Sequence, residues 1–441
     1  MMMAGIFKAY DIRGIYGETL TAELAERLGQ AFVTLLNCRR VVVGRDMRPH
    51  STPLFAALAA GLTRQGADVL DLGLCSTPMS YFANHSLEAD AGIMITASHN
   101  PGAWNGFKLC RAQAVPISGA TGIQDLERLV ATGAFAPPPA TAGQIIAHPI
   151  ADAYAAHIRA LAPVQRPLRI AVDFANGMGT LETRAFPPEI EVTPLFEEPD
   201  GSFPNHEATP LKPETYQALQ KTMRGGSFDF GLAFDGDADR VGFTDETGAI
   251  IPMDLITALI AQILLAREKG PILYDLRSSW AVREVIAENG GVPLMCRVGH
   301  AYIKQQMRAA GALFAGELSG HYYFRENGYT ESAALAALLV ASLVSSQSRP
   351  LSAWIQPLRR YCASGELNFE VADSAAVLAR LKAHYGTGRV TELDGLTIEY
   401  PDWWFNVRES NTEPLVRLNV EARTPEVLAA RQAELGALLS D

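Results

Sequence analysis

The sequence predicts a layered α/β protein: three related α/β domains and a smaller C-terminal α+β domain, arranged around a central cleft. Two observations carry this. Short apolar runs alternate with stretches of helical apolar spacing, the pattern of strands joined by covering helices. Three of these runs also empty into polar, glycine-containing loops that begin near Ser98, Asp235 and Glu317. In open α/β sheets ligands sit beyond the carboxyl ends of strands, so three such loops can converge on one cleft. A length of 441 residues suits three or four domains. The expected divisions are 1–150, 151–252, 253–360 and 361–441.

Taken in order, Phe7 to Gly17 puts Tyr10 and Arg13 in a glycine-punctuated loop. Thr21 is placed to cap a helix that carries Glu23 in its first turn, where a carboxylate suits the dipole. Leu24, Leu28, Ala31, Phe32 and Leu35 form its apolar face. Val41-Val42-Val43 reads as a strand ending in Gly-Arg-Asp, Pro53 to Arg64 as a helix, and Ala67 to Leu72 as a strand. This alternation predicts a parallel sheet with helices on both faces. Ala91 to Ile95 is a buried strand that breaks into Thr-Ala-Ser-His-Asn-Pro-Gly, a turn-forming cluster. Phe135 to Pro149, with its run of three prolines, reads as a linker.

The second unit has a helix over Ala151–Leu161 and strands over Leu168–Phe174 and Phe228–Phe234. The third has a helix over Leu255–Arg267, a strand over Pro271–Tyr274 leading into Asp275-Leu276-Arg277-Ser278-Ser279, and a strand over Leu313–Ala315. The last unit ends in Arg408-Glu409-Ser410-Asn411-Thr412.

A hydrophobic content of 48% and a charged content of 19% describe an ordinary globular chain. The net charge of −11 argues against a nucleic-acid or anionic-membrane surface, so an anionic substrate must be held by local Arg and Lys clusters. The five cysteines are scattered with no Cys-x-x-Cys, which fits reduced packing thiols and a cytoplasmic location. No signal peptide is visible, and the most apolar stretches, Leu255–Ala266 and Ala333–Val344, are too short to span a bilayer.

Ser98 sits on a loop at a strand end with His99 beside it, positioned as a nucleophile or phosphate carrier. Asp235, Asp237 and Asp239 alternate, so three hard oxygen ligands can face one point, which suits magnesium or calcium. Glu246 nearly completes an EF-hand count. Arg240, however, stands where that loop needs glycine, and both flanks read as strands, so magnesium is preferred. Glu317 and Ser319 can share one side of an extended loop and bind neighbouring hydroxyls of a polyol. His321 beside them is a candidate proton-transfer group. Arg408 with Ser410, Asn411 and Thr412 is a phosphate-sized donor set. Lys108, Arg13, Arg277, Arg240 and His300 complete a basic set. No Walker motif or dinucleotide fingerprint occurs, which argues against ATP or NAD chemistry.

These motifs, in this order and over the whole chain, resemble those of the α-D-phosphohexomutases, in particular the bacterial phosphomannomutase/phosphoglucomutase branch. They are Tyr-Asp-Ile-Arg-Gly (10–14), Thr-Ala-Ser-His-Asn-Pro (96–101) with Asn-Gly-Phe-Lys (105–108), Asp-Gly-Asp-Ala-Asp-Arg (235–240), Gly-Glu-Leu-Ser-Gly-His (316–321) and Arg-x-Ser-Asn-Thr (408–412). The resemblance implies mixed sheets, a phosphoserine at Ser98, and one magnesium ion held by Asp235, Asp237, Asp239 and a phosphoserine oxygen. It implies that the loop Glu317-Leu318-Ser319-Gly320 binds sugar hydroxyls and that the 408–412 loop binds the non-transferring phosphate. Tyr10, Arg240, Arg277 and His300 fall at substrate contacts, and Lys108, Arg13, His99 and His321 at catalytic positions. The implied reaction moves phosphate between C1 and C6 of mannose and glucose phosphates through a hexose 1,6-bisphosphate, which also serves as activator. The expected partners are hexose phosphates, with no nucleic acid or membrane, and the chain a monomer or weak homo-oligomer. A glucosamine-phosphate mutase and a non-catalytic sugar-phosphate sensor are the competing readings, and Leu318 speaks against the first.

Overall fold

The computed structural model describes residues 5–409 and 415–440, so Ser410, Asn411 and Thr412 lie outside the described residues. Four sheets follow one another along the chain. In the first, the buried strand Arg40–Arg45 pairs in parallel with Asp68–Leu74 and Ala91–Ile95. The sheet is not parallel throughout, as the alternation alone predicts. Trp104–Arg111 runs antiparallel to Ala91–Ile95, and Ile12–Ile15 antiparallel to Trp104–Arg111. The reason is local: the strand Ala91–Ile95 and its successor are joined by the short Ser98 loop with no crossover helix, and such a connection can only reverse the chain.

The second and third sheets repeat this plan. Leu168–Asp173 pairs in parallel with Ile190–Leu195 and Phe230–Phe234, and Val241–Thr244 then returns antiparallel to Phe230–Phe234. Pro271–Asp275 pairs in parallel with Val292–Cys296 and Phe314–Gly316, and Tyr322–Phe324 returns antiparallel. In each sheet the connection between the last parallel strand and the returning antiparallel one is a polar loop. These are the loops of Ser98, of Asp235–Asp239 and of Glu317–His321. The fourth sheet, from Cys362–Glu370 to Arg389–Thr391 with Leu415–Ala422, Trp403–Glu409 and Leu396–Glu399 between them, is antiparallel throughout. It packs against the helices Ser374–Tyr385 and Pro425–Ser440 around a core of its own.

Thr21 caps the helix Ala22–Leu36, accepting from Leu24 N at 3.2 Å. This helix meets Ser51–Arg64 at two glycines: a Cβ on Gly29 would lie 2.4 Å from Leu58 O, and one on Gly61 2.0 Å from Glu26 O. Two backbones can approach this closely only without side chains. The helices Met253–Arg267 and Ala333–Ser346 are buried on nearly every side, in a core that the first three sheets share.

Among the described residues no single helix is long and apolar enough to cross a membrane. One bent pair, Ala333–Ser346 with Leu351–Leu358, passes by length and composition, but the first of these helices is core. All five cysteines are free, and all but Cys362 are buried.

The stretch read as a linker contributes a sixth strand to the first sheet, Ile145–Ala147, parallel to Asp68–Leu74. Three residues after a polyproline run are too few for periodicity to mark.

Candidate active site

Ser98 stands at the apex of its loop with φ +51, a left-handed conformation that is costly for a residue with a Cβ. Thr96 Oγ1 accepts from Ser98 N at 2.9 Å, and Ser98 Oγ donates to Asp235 Oδ2 at 2.8 Å. The loops of the first and second domains touch backbone to backbone here. A Cβ on Gly236 would lie 2.5 Å from Ser98 O. His99 Nδ1 lies 3.2 Å from Ser98 Oγ, and burial, with Arg240 and Arg13 nearby, holds its pKa well below the ordinary value. His99 is therefore neutral.

Asp235, Asp237 and Asp239 are all buried, and each offers a carboxylate oxygen within 4.8 Å of the others. The hairpin between two strands brings them together, which removes the EF-hand alternative. Asp237 Oδ1 is buried with no hydrogen-bond partner. An ionised carboxylate oxygen left in that state is costly, so the donor set and the orphaned oxygen fit a small hard cation. Burial and its two neighbours push Asp235 well up. For Asp239 burial acts in the same direction, but Lys108, His321 and Arg240 outweigh it and hold the group well down.

Lys108 comes from the returning strand Trp104–Arg111, and its Nζ reaches Asp237 Oδ2 at 2.6 Å and also Asp239. Burial lowers its pKa, yet the two carboxylates more than reverse this and keep the ammonium charged. Arg13 donates to Asp11 Oδ2 at 2.7 Å and to Asn100 Oδ1 at 2.5 Å, beside the serine. Arg240 Nε lies 3.9 Å from Asp235 and 3.2 Å from His321 Nε2.

On the third domain, His321 Nδ1 is 2.9 Å from both Ser319 Oγ and Glu317 Oε2, and Nε2 is 3.3 Å from Asp239 Oδ1. Burial opposes protonation of His321, but Asp239 prevails and its pKa is raised to about 9. Glu317 is held ionised against burial by His321 and Arg277, while Tyr323 OH donates to it at 2.8 Å. Gly320 takes φ +87, the turn that brings His321 back under Ser319. Gly299 N donates to Glu317 Oε1 at 3.1 Å, tying this loop to His300 at the start of the helix His300–Ala310. Tyr10, from the first domain, sets its ring edge against His300 with centroids 5.7 Å apart.

The remaining two arginines meet on a residue that sequence reasoning missed. Glu366 accepts from Arg408 Nη2 at 2.7 Å, and its carboxylate lies 3.5 Å from Arg277 Nη1 and 3.2 Å from Arg417 Nη1. Asp275 fixes Arg277 from behind through bonds of 2.7 and 3.2 Å, and also accepts from Leu318 N at 2.8 Å. Two phosphate-type donors of different domains thus share one carboxylate, at a place where an anion is electrostatically welcome. No sequence signal marks Glu366, one of two acids in a half-buried strand.

Four family descriptions match the chain in succession. They are phosphoglucomutase/phosphomannomutase alpha/beta/alpha domain I (residues 4–137), domain II (152–248), domain III (252–361) and the C-terminal domain (366–437). A protein named "Phosphohexose mutases" from Xanthomonas campestris pv. campestris is 41% identical over 446 residues, covering 98% of each chain. A "Phosphomannomutase" of Escherichia coli is 40% identical over 449 residues, again covering 98% of each. A crystal structure of a phosphoglucomutase/phosphomannomutase family protein from Burkholderia thailandensis superposes with a TM-score of 0.91 at 35% identity, over 98% of this chain and 96% of that one. With matches of this extent, the chain is an isomerase, a member of the phosphoglucomutase/phosphomannomutase family of mutase enzymes.

Proposed function

We propose that the chain transfers a phosphoryl group reversibly between C1 and C6 of mannose and glucose phosphates, through phospho-Ser98 and a hexose 1,6-bisphosphate. The observation that carries this reading is Ser98 Oγ at 2.8 Å from Asp235, in a carboxylate triad with an orphaned oxygen on Asp237. It agrees with relatives named for phosphomannose and phosphohexose mutation. The working parts are the four loops, each carried by its own segment: 1–150, 151–252, 253–360 and 361–441.

Asp235, Asp237 and Asp239 would hold magnesium together with an oxygen of phospho-Ser98; bound there, the ion supplies neutralisation of the charge on the transferring group. The protein's own part is positioning and charge, which dominate phosphoryl transfer. Lys108 and Arg13 present fixed positive charge beside Ser98. Glu317 and Ser319 bind two adjacent sugar hydroxyls, with Leu318 and Gly320 shaping the loop. Arg277 and Arg408, with Ser410, Asn411 and Thr412, take the phosphate that is not reacting, while Tyr10, Arg240 and His300 line the sugar's path.

In the forward half-reaction a sugar hydroxyl oxygen bonds to the phosphoserine phosphorus and gives up its proton to a base, while the P–Oγ bond of Ser98 breaks and Oγ takes up a proton to leave as the serine hydroxyl. Neutral His321 takes the hydroxyl proton in the forward direction, and the imidazolium so formed, which Asp239 favours, returns it to the sugar oxygen in the reverse one. The bisphosphate then turns end for end, and its other phosphate returns to Ser98. Sugar hydroxyls common to glucose and mannose are read, and C2 is not.

The test is turnover with magnesium and a trace of hexose 1,6-bisphosphate, offering mannose 1-phosphate, glucose 1-phosphate and glucosamine 1-phosphate in parallel. Comparable rates on the first two support the reading. A strong preference for the aminosugar would move the assignment to that substrate, and no turnover on any would leave a sugar-phosphate sensor.

A further inference from the structure

The Gly-Arg-Asp end of the strand Arg40–Arg45 has no part in the mechanism above, yet it leads to the most heavily bonded side chain in the first domain. Arg48 has a side chain with no exposed surface. Its Nη2 donates to Ser98 O at 2.8 Å and Asn100 O at 2.7 Å, and its Nη1 donates to Pro101 O at 2.9 Å and Trp104 O at 3.0 Å. Nε donates to Asp46 Oδ2 at 3.2 Å. One guanidinium thus gathers four backbone carbonyls of the loop that carries Ser98.

The support behind it is equally fixed. Asp46 is buried and also accepts from Arg48 N at 3.1 Å and Ser51 Oγ at 2.6 Å, and Ser51 Oγ in turn accepts from Asn105 Nδ2 at 2.9 Å. The second domain closes the far side. The Phe203 ring stacks over the guanidinium at 5.0 Å, and a Cβ on Gly201 would lie 2.6 Å from Arg48 Cα.

We propose that Arg48 is a positioning residue for phosphoryl transfer: by holding the four carbonyls to one point it keeps Ser98 in its left-handed conformation, with Oγ aimed at Asp235. This rests on the phosphoserine reading given above. With no exposed surface on its side chain, Arg48 acts through the loop. Left-handed backbone at a serine persists only where its surroundings over-determine it, and the bond to Ser98 O supplies that constraint. Lysine keeps the charge, but its three donors on a single nitrogen cannot reproduce the planar fork that spans four carbonyls and a carboxylate. The Phe203 contact also makes the loop's shape depend on the docking of the domain that carries the aspartates.

The experiment follows phosphoryl uptake from glucose 1,6-bisphosphate onto Ser98 by intact-protein mass. It uses wild-type protein, Arg48→Lys and the milder Ser51→Ala, which loosens only Asp46. Arg48→Lys should slow uptake about 10- to 100-fold, as expected for a misplaced reacting atom, while KM for glucose 1-phosphate stays within about threefold. Ser51→Ala should slow uptake about two- to tenfold. Amide exchange over residues 98–104 should rise in both variants, with circular dichroism unchanged. Uptake at the wild-type rate in folded Arg48→Lys overturns the role, and where that variant does not fold, a wild-type rate in Ser51→Ala does so. Wild-type protein that takes up no phosphoryl group overturns the phosphoserine reading and this role with it.

Discussion

The Thr77 hydroxyl donates to Asp237 Oδ2 at 2.6 Å, on the same oxygen that Lys108 Nζ reaches at 2.6 Å. Thr77 N also donates to Asp237 O at 3.0 Å, so the first turn of the helix Thr77–Ser86 fixes both the backbone and the side chain of this aspartate. Oδ1 is left as the buried oxygen without a partner. Groups that orient a metal ligand in this way typically matter about 10- to 100-fold in metal affinity. Thr77→Val should weaken magnesium binding by about tenfold or more, and Thr77→Ser should retain it. Calorimetric titration of the unphosphorylated protein with magnesium checks this, and equal affinity in the valine variant would remove the role.

Ser98→Ala deletes the only hydroxyl bonded to Asp235 among the described residues. It should abolish mutase turnover and leave the protein's mass unchanged after incubation with hexose 1,6-bisphosphate. Turnover at the wild-type rate would refute the covalent mechanism.

Asp275 joins the phosphate-type donor Arg277 to the sugar loop at Leu318 N. Charge-assisted bonds of this kind carry about 1.5–3 kcal/mol each. Asp275→Asn should therefore lower kcat/KM for a hexose phosphate by about 10- to 100-fold, read from steady-state rates. Unchanged kinetics would mean that the two loops act independently.

Arg408→Ala removes a guanidinium that now rests on Glu366. If the position holds the phosphate that does not react, the loss is one of uniform binding. KM should then rise about tenfold with kcat changed little. A fall in kcat at constant KM would instead place Arg408 at the transferring phosphate.

Glu182 supplies a dependence on pH. It is fully buried among Ser76 of the first domain, Tyr154 OH of the second (2.9 Å), and Ala334 N at 3.3 Å, where the helix Ala333–Ser346 begins. Tyr154 OH also lies 2.7 Å from Ser332 Oγ. Burial raises the carboxyl from 4.5 to about 7. The folded chain keeps a proton that the unfolded chain releases, so this stabilisation is present in full below pH 4.5. It is lost as pH rises to about 7, and amounts to about 3 kcal/mol at most. Glu421, raised likewise to about 7, acts in the same direction. Glu182→Gln should flatten part of the decline, so the melting temperature of the variant minus that of the wild type rises between pH 5 and 7. A difference that stays constant with pH would show that Glu182 does not titrate in this window.

What the sequence made legible was whatever chemistry is written locally. Ser98-His99, the alternating aspartates and Glu317-x-Ser319 each declare themselves within a few residues, because turn-forming residues and strand ends are local signals. The helix Ala22–Leu36 announced its own cap at Thr21 for the same reason. The groups that hold these loops in place were not legible. Arg48 reaches carbonyls up to 56 residues away, Thr77 an aspartate 160 residues away, and Ser76 a glutamate 106 residues away. Nothing in the neighbourhood of a buried Arg or Thr says which distant backbone it will meet. The reversed strand Trp104–Arg111 was hidden for a related reason: alternation of strands and helices does not record which connection lacks its helix.

Parts of the three domains that carry Ser98, the aspartates and Glu317 share one hydrophobic core, from Val42 to Leu358, beside a second core within the first domain, whereas the C-terminal domain's core is separate from both. The seam between the third and fourth domains carries specific hydrogen bonds beside the buried rings of Trp280 and Trp404. Arg283 donates to Glu399 at 2.8 Å, Trp280 N to Glu421 at 2.9 Å, and Val298 N to Asp394 at 3.1 Å. The first three domains are thus joined by shared apolar packing, and the fourth meets the third across hydrogen bonds. On the proposed mechanism an intermediate that turns over between the loops needs room, and parting a shared core to make that room would expose apolar surface to water. Hydrogen bonds along such a seam can be exchanged for water at little net cost. Were the C-terminal domain to part along this seam, Arg408 would move away from a serine and a triad that stay where they are.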